Sequence, residues 1–235
     1  MDKLKKLIFI LCIAVALCSL TQWAVADTIQ TVGGPVGVGP YYHGSGGEFT
    51  VLPTGPISGL VSNYSSLTRD IVQRGTFQTF CMEAVESIAP YSNPYTAVLN
   101  SKALNGGVGP QGDPISIGTA YLYFQFATGI LQNYNYSGTT AQRQASAALL
   151  QNAIWYLEGE AGGVDNVYVN LVQGMFGETG AMNDNNGAYR VAVLNLYDAA
   201  GGRAQDLLIV TPEPITMLLL GLGLVGLAGV RRSKK

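Results

Sequence analysis

One cysteine and one glutamine in this chain have surroundings that suit a reaction between their side chains. Cys81 lies in the segment Phe80–Glu83, and Gln151 lies one helical turn before Trp155. A thiol held against a carboxamide can attack the carbonyl carbon and expel ammonia, which leaves an acyl thioester. Protected from water, that thioester would persist until a nearby amine takes the acyl group in a single exchange. Such an exchange would occur once per molecule, so it would be a cross-linking reaction and not enzymatic turnover.

The number of cysteines strengthens this interpretation. Three occur in the chain, but Cys12 and Cys18 fall within an N-terminal targeting segment. Cys81 would therefore have no intramolecular disulfide partner in the processed protein. A lone thiol outside the cytoplasm is a liability unless it is buried, paired between chains or chemically used.

The segments around Cys81 and Gln151 together resemble the internal thioester domains of bacterial surface adhesins. Those domains carry an aromatic-Cys-apolar-polar motif, followed later by a Gln, apolar residues and a Trp. The resemblance covers about residues 48–210 and implies a thioester between the two side chains. It also implies a surface partner with a free amine, such as a lysine side chain. The side chains expected to exclude water from the bond are Phe80, Trp155 and Tyr156.

Several alternatives remain open for these residues. Cys81 and Gln151 can instead be a buried apolar residue and an ordinary helix residue. A cysteine–histidine hydrolase would need His43, the only histidine, but a Gly-rich segment is a poor platform for a catalytic base. Glu83 is a poor group to activate the thiol, since its charge raises a thiol pKa. Asn183–Gly187 suggests a calcium loop or, more simply, an Asx-rich turn.

Elements of both kinds must position these residues. Alternation over Thr76–Glu83 predicts a strand that carries Cys81. Thr139 or Thr140 caps a helix that runs through Gln151 to Leu157. The predicted class is α+β, with β-sandwich-like or barrel-like strands at both ends of the body and a helical insertion. The other predicted elements are strands at Glu48–Leu52, Tyr189–Tyr197 and Leu207–Val210, a buried helix at Ser116–Leu131 and a long loop at 90–116.

The N-terminus has the three parts of a secretory signal peptide. Lys3, Lys5 and Lys6 precede an apolar run from Leu7 to about Leu20, and Ala24, Val25 and Ala26 then supply small residues for a signal peptidase. The apolar run is too short for a permanent membrane helix. We expect cleavage after Ala26, which places the body outside the cytoplasm.

The C-terminus carries a second apolar segment, Ile215–Val230, followed by basic residues that begin with Arg231 and Arg232. As a helix, this segment would span most of a hydrocarbon core. The basic tail would then stay cytoplasmic and the body would face away from the cytoplasm. The stiff boundary before the segment consists of Pro212, Glu213 and Pro214.

A Pro-Glu-Pro motif, an apolar helix and an Arg cluster in this order resemble the PEP-CTERM sorting signal. The resemblance implies recognition by a membrane-embedded exosortase in a Gram-negative-type bacterium with a secreted polysaccharide matrix. The protein would be anchored transiently in the inner membrane and then reach the cell surface or the extracellular matrix. The predicted divisions are a signal peptide at 1–26, a Gly/Pro-rich lead-in at 27–47, a thioester-like domain at 48–210 and a sorting signal at 211–235.

Composition and motifs limit the classes of partner that the protein could bind. Charged residues make up 12% of the chain and the formal net charge is −2, which gives no electrostatic footprint for nucleic acid. The sequence shows no metal-ligand cluster. Residues Gly221–Gly226 match a dinucleotide fingerprint but lie inside the apolar segment, so no cofactor is predicted. The neutral polar surface also suits a second hypothesis, a non-reactive structural protein associated with exopolysaccharide. Under either hypothesis, the protein contacts the membrane only through its C-terminal helix, before processing.

Overall fold

The computed structural model describes residues 26–34, 37–44, 46–69, 75–90, 94–104, 112–161 and 166–212. The predicted signal peptide, apart from Ala26, lies outside these ranges, as does the predicted C-terminal membrane helix. Among the helices that are described, none is both long and apolar enough to cross a membrane.

Six antiparallel strands form one sheet in the order β10-β9-β6-β1-β4-β5. The two edge strands approach each other, since the amide of Leu208 donates to the carbonyl of Phe80 at 3.2 Å and the amide of Met82 donates to that of Asp206 at 2.9 Å. The sheet is therefore a nearly closed barrel. In chain order the strands are β1 (Thr28–Thr31), β2 (Tyr42–His43), β3 (Gly46–Gly47), β4 (Phe49–Thr54), β5 (Phe77–Thr79), β6 (Tyr95–Asn100), β7 (Lys102–Ala103), β8 (Asp113–Pro114), β9 (Val191–Tyr197) and β10 (Leu207–Val210).

Among the described residues, three α-helices lie between β8 and β9, and each begins at a side-chain cap. They are α1 (Ile117–Ala127), α2 (Thr140–Leu157) and α3 (Val167–Phe176), with short 3₁₀ helices at Pro56–Asn63 and Gly180–Met182. Thr139 and Gln142 form a complete capping box at the start of α2. The mixed helix-and-strand class and the helical insertion are confirmed. The helix α3, capped by Asn166, was not predicted.

Two predicted irregular regions contain strands of the main sheet. The lead-in at 27–47 supplies β1, which pairs with both β4 and β6 near the middle of the sheet. The predicted loop at 90–116 supplies β6, in which Tyr95 and Ala97 are buried while Thr96 and Val98 are exposed. Pro, Gly and Asn residues on either side obscured these short alternating segments. A long-range partner, rather than local propensity, makes each of them a strand.

Candidate functional site

Cys81 lies at the seam where the barrel closes. It faces Leu207 across an isolated antiparallel bridge, and the residues on either side of it make the hydrogen bonds to the opposite strand. In such a pair the amide and carbonyl of the central residue point away from the opposite strand. The backbone of Cys81 is therefore available to a group on the other side.

The side chain of Gln151 occupies that position. Its Oε1 accepts from the amide of Cys81 at 3.0 Å, and its Nε2 donates to the carbonyl of Cys81 at 2.8 Å. The amide of Gly47 also donates to Oε1, at 3.3 Å. Gln151 is 1% exposed and Cys81 is 2% exposed. The structure thus brings the two predicted residues together, with the carboxamide held on both edges by one residue's backbone.

One face of α2 determines where this carboxamide lies. Arg143, Ala147, Gln151 and Trp155 are spaced four residues apart, so they form a stripe along the helix. The hairpin β2–β3 packs against this stripe. A methyl group added at Gly46 would lie 2.6 Å from Cγ of Gln151 and 2.9 Å from Cη2 of Trp155. Only glycine allows the hairpin to approach the helix this closely.

A buried ion pair fixes the hairpin to the same helix. The guanidinium of Arg143 donates to both carboxylate oxygens of Glu48, from Nε to Oε2 at 2.8 Å and from Nη2 to Oε1. The hydroxyl of Tyr134 donates to Oε2 at 2.6 Å. Because Glu48 directly follows Gly47, the ion pair also holds the Gly47 amide above Gln151.

The electrostatic environment keeps the Cys81 thiol protonated. Burial raises the pKa of Cys81 well above its ordinary value, and the Glu86 carboxylate raises it further. Burial also raises the pKa of Glu83 to about 8, and Glu160, Glu86 and Asp206 add to that shift. At neutral pH Glu83 is therefore mostly protonated. Among the described residues, the carboxylate that disfavours the Cys81 thiolate is therefore that of Glu86. The sequence had suggested Glu83 for this effect.

The three predicted wall residues have different surroundings. Trp155 lies beside Gln151 under Gly46, and its Nε1 is buried without a hydrogen-bond partner in the part of the chain that the structure describes. Phe80 packs edge-on against Phe126 of α1, with ring centroids 4.9 Å apart. Tyr156 is half-buried against the core. Trp155 is the wall residue that the structure places next to the carboxamide, while the protective role of all three stays a prediction.

The structure also shows where two other predicted features lie, His43 and the segment Asn183–Gly187. His43 lies in β2 and pairs with Gly46, so the segment that we considered a poor platform is a hairpin packed on α2. His43 itself is exposed. In the segment Asn183–Gly187, both side-chain groups of Asn185 bond to the backbone of Tyr189. This segment is an Asx-rich turn. Within the described ranges, no group of three or more His, Cys, Asp or Glu side chains could hold a metal ion.

The sequence interpretation did not identify the groups that surround the Cys81–Gln151 pair. These are the Gly47 amide, the Glu48–Arg143 ion pair and the carboxylates near Glu83. The adjacent glycines at 46 and 47, immediately before Glu48, were the available signal for a close backbone approach. A partner of Glu48 on a helix 95 residues later leaves no local signal.

Comparisons with known proteins bear on the C-terminus alone. The model of the PEP-CTERM protein-sorting motif matches residues 210–233. No curated protein and no solved structure matches the chain. The motif indicates an exported protein that exosortase recognises and that is anchored transiently in the membrane before sorting. The comparisons give no support to the resemblance with thioester adhesin domains. The predicted sorting residues Glu213, Pro214, Arg231 and Arg232 lie outside the described ranges.

Proposed function

We propose that this protein attaches covalently to an amine-bearing surface or matrix partner through a thioester between Cys81 and Gln151. One observation carries the proposal: the Gln151 carboxamide is hydrogen-bonded on both edges to the backbone of Cys81, at 3.0 and 2.8 Å. The Gln151 carboxamide therefore lies against the residue that carries the thiol. Both residues are buried from solvent. The sorting motif supports an exported location in which such a bond would be useful.

Formation of the thioester would proceed in one exchange. Sγ of Cys81 attacks Cδ of Gln151, the C–N bond breaks, and the thiol proton leaves with Nε2 as ammonia. Negative charge would develop on Oε1 during the attack. The amides of Cys81 and Gly47 already donate to that oxygen, so they would stabilise the charge as an oxyanion hole does.

Transfer to the partner would follow the same route. An amine nitrogen attacks Cδ of Gln151, the C–S bond breaks, and a proton from the amine ends on Sγ of Cys81. The product is an amide between Gln151 and the partner. The high pKa of the buried thiol slows the first attack, which needs to occur only once in the life of the protein. It also makes the thiolate a poor leaving group, so the C–S bond breaks as the amine proton reaches Sγ.

Intact-mass measurement of the purified exported protein tests the proposal. The wild-type protein should lack one ammonia, and methylamine should add to it at Gln151. Cys81→Ala and Gln151→Ala should show neither change. Gln173→Ala, which removes a half-buried glutamine from α3, should behave as the wild type does. A wild-type mass equal to the unmodified sequence, under gentle handling, would refute the thioester.

A second candidate is a non-reactive matrix protein associated with exopolysaccharide. The same hydrogen bonds favour it, because Gln151 satisfies the free backbone groups of Cys81 as a structural residue would. Under this hypothesis the Cys81→Ala variant keeps its association with the matrix. Loss of attachment in that variant, with unchanged folding, would exclude the second candidate.

A further inference from the structure

A cavity of about 720 Å³ lies between the end of β6 and the turn that precedes β9. None of the residues that line it belongs to the Cys81–Gln151 pair or to the groups around that pair. Its lining includes the polar residues Asn100, Ser101, Asp184 and Asn186 and the apolar residues Leu99 and Val191. The cavity has the volume of a small-ligand site.

Backbone hydrogen bonds hold the two walls of this cavity in place. On one side β6 pairs with β9 as far as Asn100. On the other side the amide of Asn185 donates to the carbonyl of Ile115 at 2.8 Å. The amide of Ile117 donates to the carbonyl of Asn183 at 2.7 Å. The cavity is therefore preformed, as sites for small ligands usually are.

The polar side chains of the cavity keep hydrogen-bonding groups that a ligand can use. Oδ1 of Asn100 accepts from the amide of Ser101 at 2.8 Å, and Nδ2 of Asn186 donates to the carbonyl of Asp184 at 3.3 Å. These bonds leave Nδ2 of Asn100 as a donor and Oδ1 of Asn186 as an acceptor. The Ser101 hydroxyl and the Asp184 carboxylate make no hydrogen bond to another described residue.

The chemistry of the lining favours a neutral ligand that is rich in hydroxyl groups. Asp184 is the charged residue among the described residues of the lining, so an anion would meet repulsion and no counter-charge. An apolar ligand would leave the carboxylate and the amides without water or a partner. A hydroxyl group both donates and accepts, so it can donate to Asp184 or Asn186 and accept from Asn100. Leu99, which is 46% exposed, offers apolar surface to the C–H groups of the same ligand.

We propose that this cavity binds a short neutral segment of a saccharide chain. The hydroxyl groups bond to Asn100, Asp184 and Asn186, and the C–H face of a sugar ring packs on Leu99. This inference rests on the second candidate function, association with exopolysaccharide, and not on the thioester. It gives that association a defined site and a preference for uncharged sugars.

An array of oligosaccharides, probed with the purified exported protein, tests the site. It compares neutral oligosaccharides of hexoses and N-acetylhexosamines with oligosaccharides of uronic acids of the same lengths. We expect the wild-type protein to bind one or more neutral glycans and none of the acidic ones. Calorimetric titration with the neutral glycan that binds then measures the dissociation constant.

Variants of the lining locate the binding. Asp184→Asn changes an exposed side chain and keeps its size, and Asn100→Ala removes the amide donor. Each should weaken binding by about tenfold, the loss expected for one hydrogen bond to a charged group or for two neutral ones. Asn152→Ala is the matched control, because it removes a half-buried asparagine of α2 that does not line the cavity. Melting curves followed by circular dichroism show that the variants are folded.

The outcomes separate this site from the functions proposed above. If no neutral glycan binds, if acidic glycans bind as tightly, or if Asp184→Asn binds as the control does, the site is refuted. Cys81→Ala should bind the glycan as the wild type does. If it does so but has lost its attachment to the matrix, the cavity stands and the second candidate function fails. If it keeps its attachment while both lining variants bind glycan normally, that function stands and the cavity is not its site.

Discussion

Two buried polar pairs lie two turns apart on the same helix and differ in how completely they are satisfied. The Glu48–Arg143 pair has hydrogen bonds from Tyr134 and to the carbonyls of Tyr136 and Leu67. Around the Cys81–Gln151 pair, by contrast, two polar atoms are buried without partners among the described residues. They are Oε2 of Glu83 and Nε1 of Trp155.

This difference separates a fully paired polar site from one that keeps two unpaired buried atoms. Buried polar groups that serve stability are normally paired, because an unpaired group keeps its full desolvation cost. The ion pair meets this rule and anchors the hairpin. Near Cys81 this rule is broken twice, at Oε2 of Glu83 and at Nε1 of Trp155. An apolar side chain could have filled either position. The first pair should therefore control stability, and the second should tolerate changes that alter reactivity.

Removal of the Arg143 charge gives the largest expected loss of stability. Arg143→Met leaves Glu48 buried without its counter-charge, and such losses are typically about 3–5 kcal/mol. Urea unfolding followed by circular dichroism measures it. The double variant with Glu48→Gln should lose less than the single variant, because no charge is then left unpaired. A loss below about 1 kcal/mol in Arg143→Met would show that the ion pair does not anchor the hairpin.

Gly46→Ala should have the next largest effect. The added methyl group meets Gln151 and Trp155 at 2.6 and 2.9 Å, and overpacking of this kind costs about 1–3 kcal/mol. It should also lift the Gly47 amide from Gln151 and slow any reaction there. Gly174→Ala is the control, since its methyl group would enter open space on α3 and should stabilise the helix by about 0.5–1 kcal/mol. Equal stability of the two variants would contradict the close packing.

The sequence singled out Cys81 and Gln151, which the structure brings together, whereas it did not predict strands β1 and β6. The reaction between the two side chains stays a prediction. Cys81 was the lone cysteine beyond the signal segment, and Gln151 stood out by its spacing to Trp155. The capping residues of α2 were also evident, because a capping box is a local pattern. Each of these signals lies within a few residues of chain, so one sequence is enough to reveal it.

The features that the sequence did not reveal depend on distant partners. Strand β1 is a strand because β4 and β6 flank it, and its four residues carry no strong local pattern. The carboxylate of Glu160 reaches the segment after Cys81 because it returns beside Ala84, 76 residues away. The sheet closes through Met82 and Asp206, which no periodicity connects. Contacts of this kind are set by topology, and topology is the part that patterns along the chain specify least.

The smallest expected effect is the pH dependence of stability. It tests whether Glu83, near Cys81, is buried as a neutral carboxyl. Its pKa is raised from 4.5 to about 8 in the folded protein, so between these values the folded state holds a proton that the unfolded state has released. This contribution to stability is complete below pH 4.5 and declines as the pH rises to about 8. Glu158 and Asp113 titrate in the same window, with pKa values of about 7 and about 6.

Comparison of variants therefore isolates the contribution of Glu83. Glu83→Gln cannot ionise, so its melting temperature should fall less than that of the wild type as the pH rises from 4.5 to about 8. Glu178→Gln should keep the wild-type decline. If Glu83→Gln and the wild type decline in parallel, Glu83 is ionised throughout this range. The neutral buried carboxyl that distinguishes the surroundings of Cys81 from the Glu48–Arg143 pair would then be absent.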